Sequence, residues 1–209
     1  MKLWSDSFRN EERIPEPFAF GKYHPDSYIE LSNNRNPHLA WSDLPKGTKS
    51  LVLICHDPDV PSRADDVNQE GKKVSASLPR ISFFHWVLID IPLSGREILA
   101  GEHSFTITPR GKSGPQAPGG LRHGLNDYTN WFASDPEMSG DYFGYDGPCP
   151  PWNDEIIHHY HFALYALDVE RCPVEGKFSG PDVLKAIEGH ILDKASITGI
   201  YAINPEAVL

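Results

Sequence analysis

The chain has 209 residues, 39% of them hydrophobic, and a formal net charge of −10 at pH 7. That length fits one domain, and the acidic balance excludes the clustered Lys and Arg that non-specific nucleic-acid binding or docking on anionic membranes requires. With 19 prolines and 17 glycines a helical bundle is excluded and a β-rich fold with structured loops is expected, while 5 Trp, 8 Tyr and 10 Phe suffice for a core.

Met1-Lys2-Leu3-Trp4-Ser5-Asp6 lacks the apolar h-region of a signal peptide. No run approaches the roughly 18 apolar residues that a membrane span needs. Cys55, Cys149 and Cys172 are odd in number and far apart, which argues against a disulfide framework and for a reduced, cytoplasmic protein. Leu51 to Cys55 is a continuous apolar run ending at Asp57-Pro58, which predicts a buried strand entering a rigid turn. Ser62 to Pro79 is polar and charged and reads as a loop. Phe83 to Ile91 predicts a second strand, stopped by Pro92, and weak alternation predicts a shorter one over Ser104 to Thr108. Pro109 to Pro151 is a long loop whose Tyr128, Trp131, Phe132, Tyr142, Phe143 and Tyr145 predict internal packing. A third strand is predicted over Tyr160 to Val169 and a last one over Ser196 to Ile203. Between them Ser179 caps a helix, with Pro181 in its first turn and Asp182 placed as in a capping box. Val183, Leu184, Ile187 and Ile191 recur along this helix at helical spacing.

Three segments carry the chemistry. They are Asp57-Pro58-Asp59-Val60-Pro61-Ser62, His85-Trp86, and Gly147-Pro148-Cys149-Pro150-Pro151 followed by His158-His159-Tyr160. Each sets carboxylate, imidazole or phenol groups beside residues that stiffen the backbone, so a small preorganised polar pocket is expected. Period-two geometry puts His158 and Tyr160 on one strand face and His159 and His161 on the other. It also points Asp57 and Asp59 to one side, if the chain stays extended through Pro58, and sets His85 opposite Trp86. Singly, these are a turn Asp, a core His, a stiff loop and a core Trp; their co-occurrence carries the functional reading. His159-x-His161 is the best metal candidate, but no His-x-x-x-His or Cys-x-x-Cys pair accompanies it, and neither metal nor cofactor is expected. There is no Gly-x-Ser-x-Gly elbow, and nothing near Cys149 lowers its pKa.

At these motifs the chain resembles the phosphatidylethanolamine-binding protein family, also called Raf-kinase-inhibitor-like proteins, and within it the bacterial and archaeal branch. Supporting matches are Pro37-His38-Leu39-Ala40-Trp41, Gly189-His190-Ile191-Leu192 and Thr198-Gly199-Ile200-Tyr201. The resemblance implies a mainly β fold, a Greek-key antiparallel sandwich with a few peripheral helices. It would form a single domain over residues 1–209, with insertions at about 62–80 and 110–146. It implies an anion pocket built from Asp57, Asp59, Val60, Pro61, His85, Gly147, Pro148, Cys149, His158 and Tyr160. His159 stands where the family usually has Arg, and the long Ser62–Pro79 segment is expected at the pocket mouth or in a subunit contact.

The expected function is a noncatalytic binding protein for a small anionic or phosphorylated molecule, regulating a protein partner such as a kinase or protease. Its expected mechanism has an Asp holding one nitrogen of a protonated His85 while the other donates to the anion. The alternatives are a hydrolase using the Asp/His cluster for acid–base work, and a structural homodimer module with a vestigial pocket.

Overall fold

Along residues 51–55 successive side chains enter two different cores. Leu51, Leu53 and Cys55 join one apolar cluster, and Val52 and Ile54 join another. Both faces of this strand are covered, so its sequence is continuously apolar rather than alternating.

The computed structural model describes residues 1–209 and is mainly β, 37% strand against 8% helix. The strands are β1 (Lys2–Trp4), β2 (Gly21–His24), β3 (Tyr28–Leu31), β4 (Leu39–Ser42), β5 (Ser50–Pro61), β6 (Arg80–Ile91), β7 (Glu97–Ile98), β8 (Arg122–His123), β9 (His158–Leu167) and β10 (Ile191–Tyr201). Two short helices, α1 (Tyr128–Trp131) and α2 (Gly180–Ala186), accompany them. The main sheet has the order β10-β9-β5-β6-β8, a second sheet the order β1-β4-β7, and β2-β3 is a separate hairpin. All these pairings are antiparallel. Leu39, Trp41 and Ile98 of the second sheet pack on the first face of the main sheet, completing a sandwich. Val183 and Ile187, in and just after α2, cover the other face. No helix is long and apolar enough to cross a membrane.

The structure moves several predicted boundaries. β5 does not stop at Asp57-Pro58 but continues to Pro61. Its ladder slips between Asp57 and Val60, and such a bulge accommodates a proline that has no N–H to give. α2 opens as expected, with the Ser179 amide donating to Asp182 Oδ2 at 2.8 Å, but does not reach Ile191. Gly189, at φ +85°, turns the chain out of helical geometry, and Ile191 begins β10 instead. The expected strand over Ser104 to Thr108 is reduced to one bridge between Arg35 and Phe105. There the Asn36 side chain takes the Ser104 amide at 3.0 Å, replacing ladder bonds.

Candidate functional site

Two irregularities of the β5–β6 ladder shape the site. On β6, Trp86 pairs with Cys55 and Phe84 with His56, which leaves His85 as an extra, unpaired residue. This bulge reverses the alternation. Phe84 lies in the outer cluster, Trp86 in the inner one, and the His85 ring packs edge-on to Tyr160 of the inner cluster at 5.1 Å. His85 and Trp86 therefore share a side, contrary to expectation. On β5 the bulge before Val60 separates the two carboxylates. Asp57 faces inward with Oδ2 2.7 Å from His158 Nδ1, whereas Asp59 turns outward to accept from the amide and Nδ1 of His159 at 2.8 and 2.7 Å.

The buried floor is a chain of alternating charge. Arg80 donates two hydrogen bonds to Asp154, at 2.6 and 3.0 Å. Asp154 Oδ2 lies 3.1 Å from His158 Nε2, whose Nδ1 meets Asp57. Burial disfavours charge on His158, but the carboxylates of Asp57 and Asp154 overcome it and raise the imidazole to about 9. Both His158 nitrogens thus carry protons at neutral pH and both are engaged. Burial lowers His85 below the ordinary imidazole value, the field of Asp57 opposing only in part. Its partner is not a carboxylate but the Asp146 carbonyl, 2.8 Å from Nδ1. A carbonyl only accepts, so Nδ1 holds the proton of the neutral ring, and Nε2 keeps a lone pair with no protein partner. The Tyr160 hydroxyl is buried beside the Asp57 carboxylate without forming a hydrogen bond of ordinary geometry, and burial, then the charge of Asp57, raises it well above the ordinary phenol value.

Above this floor lies a cavity of about 240 Å³. The structure brings Asp57, Val60, Pro61, His85, Cys149, His158 and Tyr160 to its lining, but not Asp59, Gly147 or Pro148. Asp59 is on the outer face. Gly147 and Pro148 act through backbone: the Gly147 amide donates to Asn34 Oδ1 at 2.8 Å, and the Pro148 carbonyl accepts from Phe20 N at 2.8 Å. The cavity is also less polar than the motifs suggest. Phe20, Ile29 and Leu31 come from the β2-β3 hairpin and its lead-in, Val67 from the 62–80 segment, and Trp131 and Phe132 from the end of α1. Arg63 is a cation at the wall, its side chain 70% exposed. The Cys149 thiol is pushed up by burial to about 12, which keeps it protonated. No group of three or more His, Cys, Asp or Glu side chains is arranged to hold a metal ion.

A family model described as phosphatidylethanolamine-binding protein matches residues 4–202. The chain belongs to that family. Relatives in this phosphatidylethanolamine-binding protein family include the UPF0098 protein YbhB of Escherichia coli K12, 30% identical over 97% of this chain and 100% of that one. A UPF0098 protein of Aquifex aeolicus is 32% identical over 96% and 88%. The crystal structure of E. coli YbcL, titled a new member of the mammalian family, superposes with a TM-score of 0.68 at 25% identity, over 96% of this chain and 97% of that one. Family membership supports a binding-protein role.

Arg80, Asp154 and Asp146 escaped the sequence reading. Arg80 and Asp154 are separated by 74 residues, and the Asp146 contribution is a backbone carbonyl, so neither leaves a local pattern. Trp131 and Phe132 were legible as packed aromatics, though not as cavity walls.

Proposed function

We propose that the cavity receives the protonated, singly charged head of a small phosphorylated or otherwise anionic amphiphile, and that the chain binds it without chemical turnover. The observation carrying this reading is the pairing at the floor of a Tyr160 hydroxyl, beside Asp57 but in no hydrogen bond of ordinary geometry, with a neutral His85 whose Nε2 is free to accept. A phosphate monoanion offers both complements: its P–OH donates to His85 Nε2, and an unprotonated oxygen accepts from Tyr160. The apolar walls suit a hydrocarbon or aromatic body leaving the head.

This revises the expected mechanism. The charged imidazole is His158, which is fully engaged below the floor, so His85 acts first as acceptor rather than as cationic donor. The Asp57, His158, Asp154 and Arg80 charges balance, and no free cation faces the anion at the floor. Binding is therefore modest and coupled to protonation of the ligand. A hydrolase reading is disfavoured by the engaged His158 and by the protonated Cys149 thiol.

Calorimetric titration with inorganic phosphate and phosphoethanolamine at about pH 5.5 and about pH 8 tests the proposal. Tighter binding at the lower pH is expected, with net proton uptake on binding inorganic phosphate at about pH 8, where the free ligand is mainly the dianion. Equal affinity at both overturns it, and turnover of a phosphoester abolished by Asp57→Asn establishes the hydrolase instead.

A further inference from the structure

The outer face of β5 and β9, behind the pocket floor, carries a second cluster. His56 and His161 are direct cross-strand partners, and their ring centres lie 5.3 Å apart. His159 shares this face, 6.3 Å from His161 with nearly parallel rings, at 11°. All three are half-buried, so solvent reaches them.

His159 Nδ1 donates to Asp59 Oδ2 at 2.7 Å, since a carboxylate only accepts, and its Nε2 has no protein partner. His161 Nδ1 lies 2.8 Å from the Thr198 hydroxyl; donation to that oxygen leaves its Nε2 bare as well. This is the outer-shell arrangement that orients metal-binding imidazoles. His56 has no protein partner on either nitrogen. Burial, then the neighbouring His161 and Lys194, hold His56 below the ordinary imidazole value, and burial followed by His159 does the same for His161.

Two imidazoles that share a tetrahedral metal through bonds of about 2.0–2.1 Å have ring centres roughly 5 Å apart. The His56–His161 separation matches that distance, while His159, held by Asp59, stands too far and too parallel to join them. We propose that His56 and His161 form an open two-imidazole site for a late first-row divalent cation, of the Zn²⁺ or Cu²⁺ class, with water in the remaining positions. The site is independent of the anion pocket, because these rings and the cavity occupy opposite faces of the sheet.

The test is calorimetric titration of the full chain with ZnCl₂, whose tetrahedral preference the ring separation fits, and with CuCl₂, together with electron paramagnetic resonance of the Cu²⁺ complex. A single saturable site is expected, with couplings from at least two imidazole nitrogens. His56→Gln and His161→Gln should each abolish it, and Thr198→Val should weaken it about tenfold or more by releasing the His161 ring. The exposed-residue control His190→Gln should leave it unchanged. No saturable site in the unmodified chain, survival of the site in either His56→Gln or His161→Gln, or its loss in His190→Gln overturns the proposal. Circular dichroism of each variant separates loss of a ligand from loss of fold.

Discussion

Asp57 Oδ2 and His158 Nδ1 lie 2.7 Å apart with both side chains withdrawn from water, and this contact joins the pocket floor to a charge chain ending at Arg80. An isolated charge so buried would be costly; four alternating charges, each held by its neighbour, make the arrangement tenable. The rigidity of the floor comes from this chain, whereas its binding capacity comes from Tyr160 and His85 beside it.

The chain imposes a pH dependence on folding. His158 is raised from 6.5 to about 9, so the folded state binds its proton more tightly than the unfolded state does. The resulting stability is fully present below the unfolded value of 6.5 and is lost as pH rises through about 9. Its size is on the order of 3 kcal/mol. Urea denaturation across this range should show a falling midpoint, and a flat profile would contradict the assignment. His158→Gln should be less stable at neutral pH and should lack this particular slope.

Arg80 holds Asp154 through both terminal guanidinium nitrogens and also donates to the carbonyls of Asp59, Leu78 and Ser75. Arg80→Gln leaves the buried Asp154 with His158 as its only charged partner and should cost about 3–5 kcal/mol. Arg80→Lys should recover little of it, since an ammonium cannot match the two-pronged geometry. Thermal denaturation of both variants decides this; a loss within about 0.5 kcal/mol, as for ordinary surface sites, would refute it.

Tyr160→Phe separates folding from binding. The hydroxyl is buried beside Asp57 without a hydrogen bond of ordinary geometry, so its removal should change stability by no more than about 1 kcal/mol. Phosphate should nevertheless bind roughly tenfold more weakly or worse, because a hydrogen bond to a charged group contributes about 1.5–3 kcal/mol. Unaltered phosphate affinity would remove Tyr160 from the ligand.

What the sequence reveals follows from the range of the interactions involved. Leu51–Cys55 and the alternation of His158, Tyr160 and Phe162 are local patterns, and they locate two central strands and the inward-facing His158. The bulge at His85 depends on the register between β5 and β6, and nothing in Phe84-His85-Trp86 announces it. The slip at Pro58-Asp59 likewise sends Asp59 to the face opposite Asp57, although an extended chain would keep them together. The apolar walls were hidden because Ile29, Leu31 and Val67 are single apolar residues among polar neighbours, gathered only by tertiary packing.

Gly147 has a steric role that its absence from the cavity lining would not suggest. A Cβ there would stand 2.2 Å from the Phe18 carbonyl and 3.0 Å from Ala19 Cα, both backbone atoms that cannot rotate away. Gly147→Ala should push residues 147–151 from residues 18–20 and strain the bond from Tyr128 Oη to the Gly147 carbonyl, now 2.8 Å. A loss of about 1–3 kcal/mol is expected on denaturation, as for other overpacked sites. An unchanged midpoint would refute a steric requirement for glycine at position 147.

Asn153 controls the wall formed by the 62–80 segment. Its Nδ2 donates to the carbonyls of Asp66, Gln69 and Lys72 at 2.9, 3.3 and 3.1 Å, and its Oδ1 accepts from Asn68 N at 2.9 Å. One side chain, 5% exposed, thereby holds the turn that presents Arg63, Val67 and Asn68 to the cavity. Asn153→Ala removes all four bonds without touching the floor. The segment should become the first site of limited proteolysis, and a phosphorylated amphiphile should lose affinity while inorganic phosphate, which needs only Tyr160 and His85, should keep it. Equal weakening of both ligands would place the effect at the floor, and unchanged binding of both would detach the segment from recognition altogether.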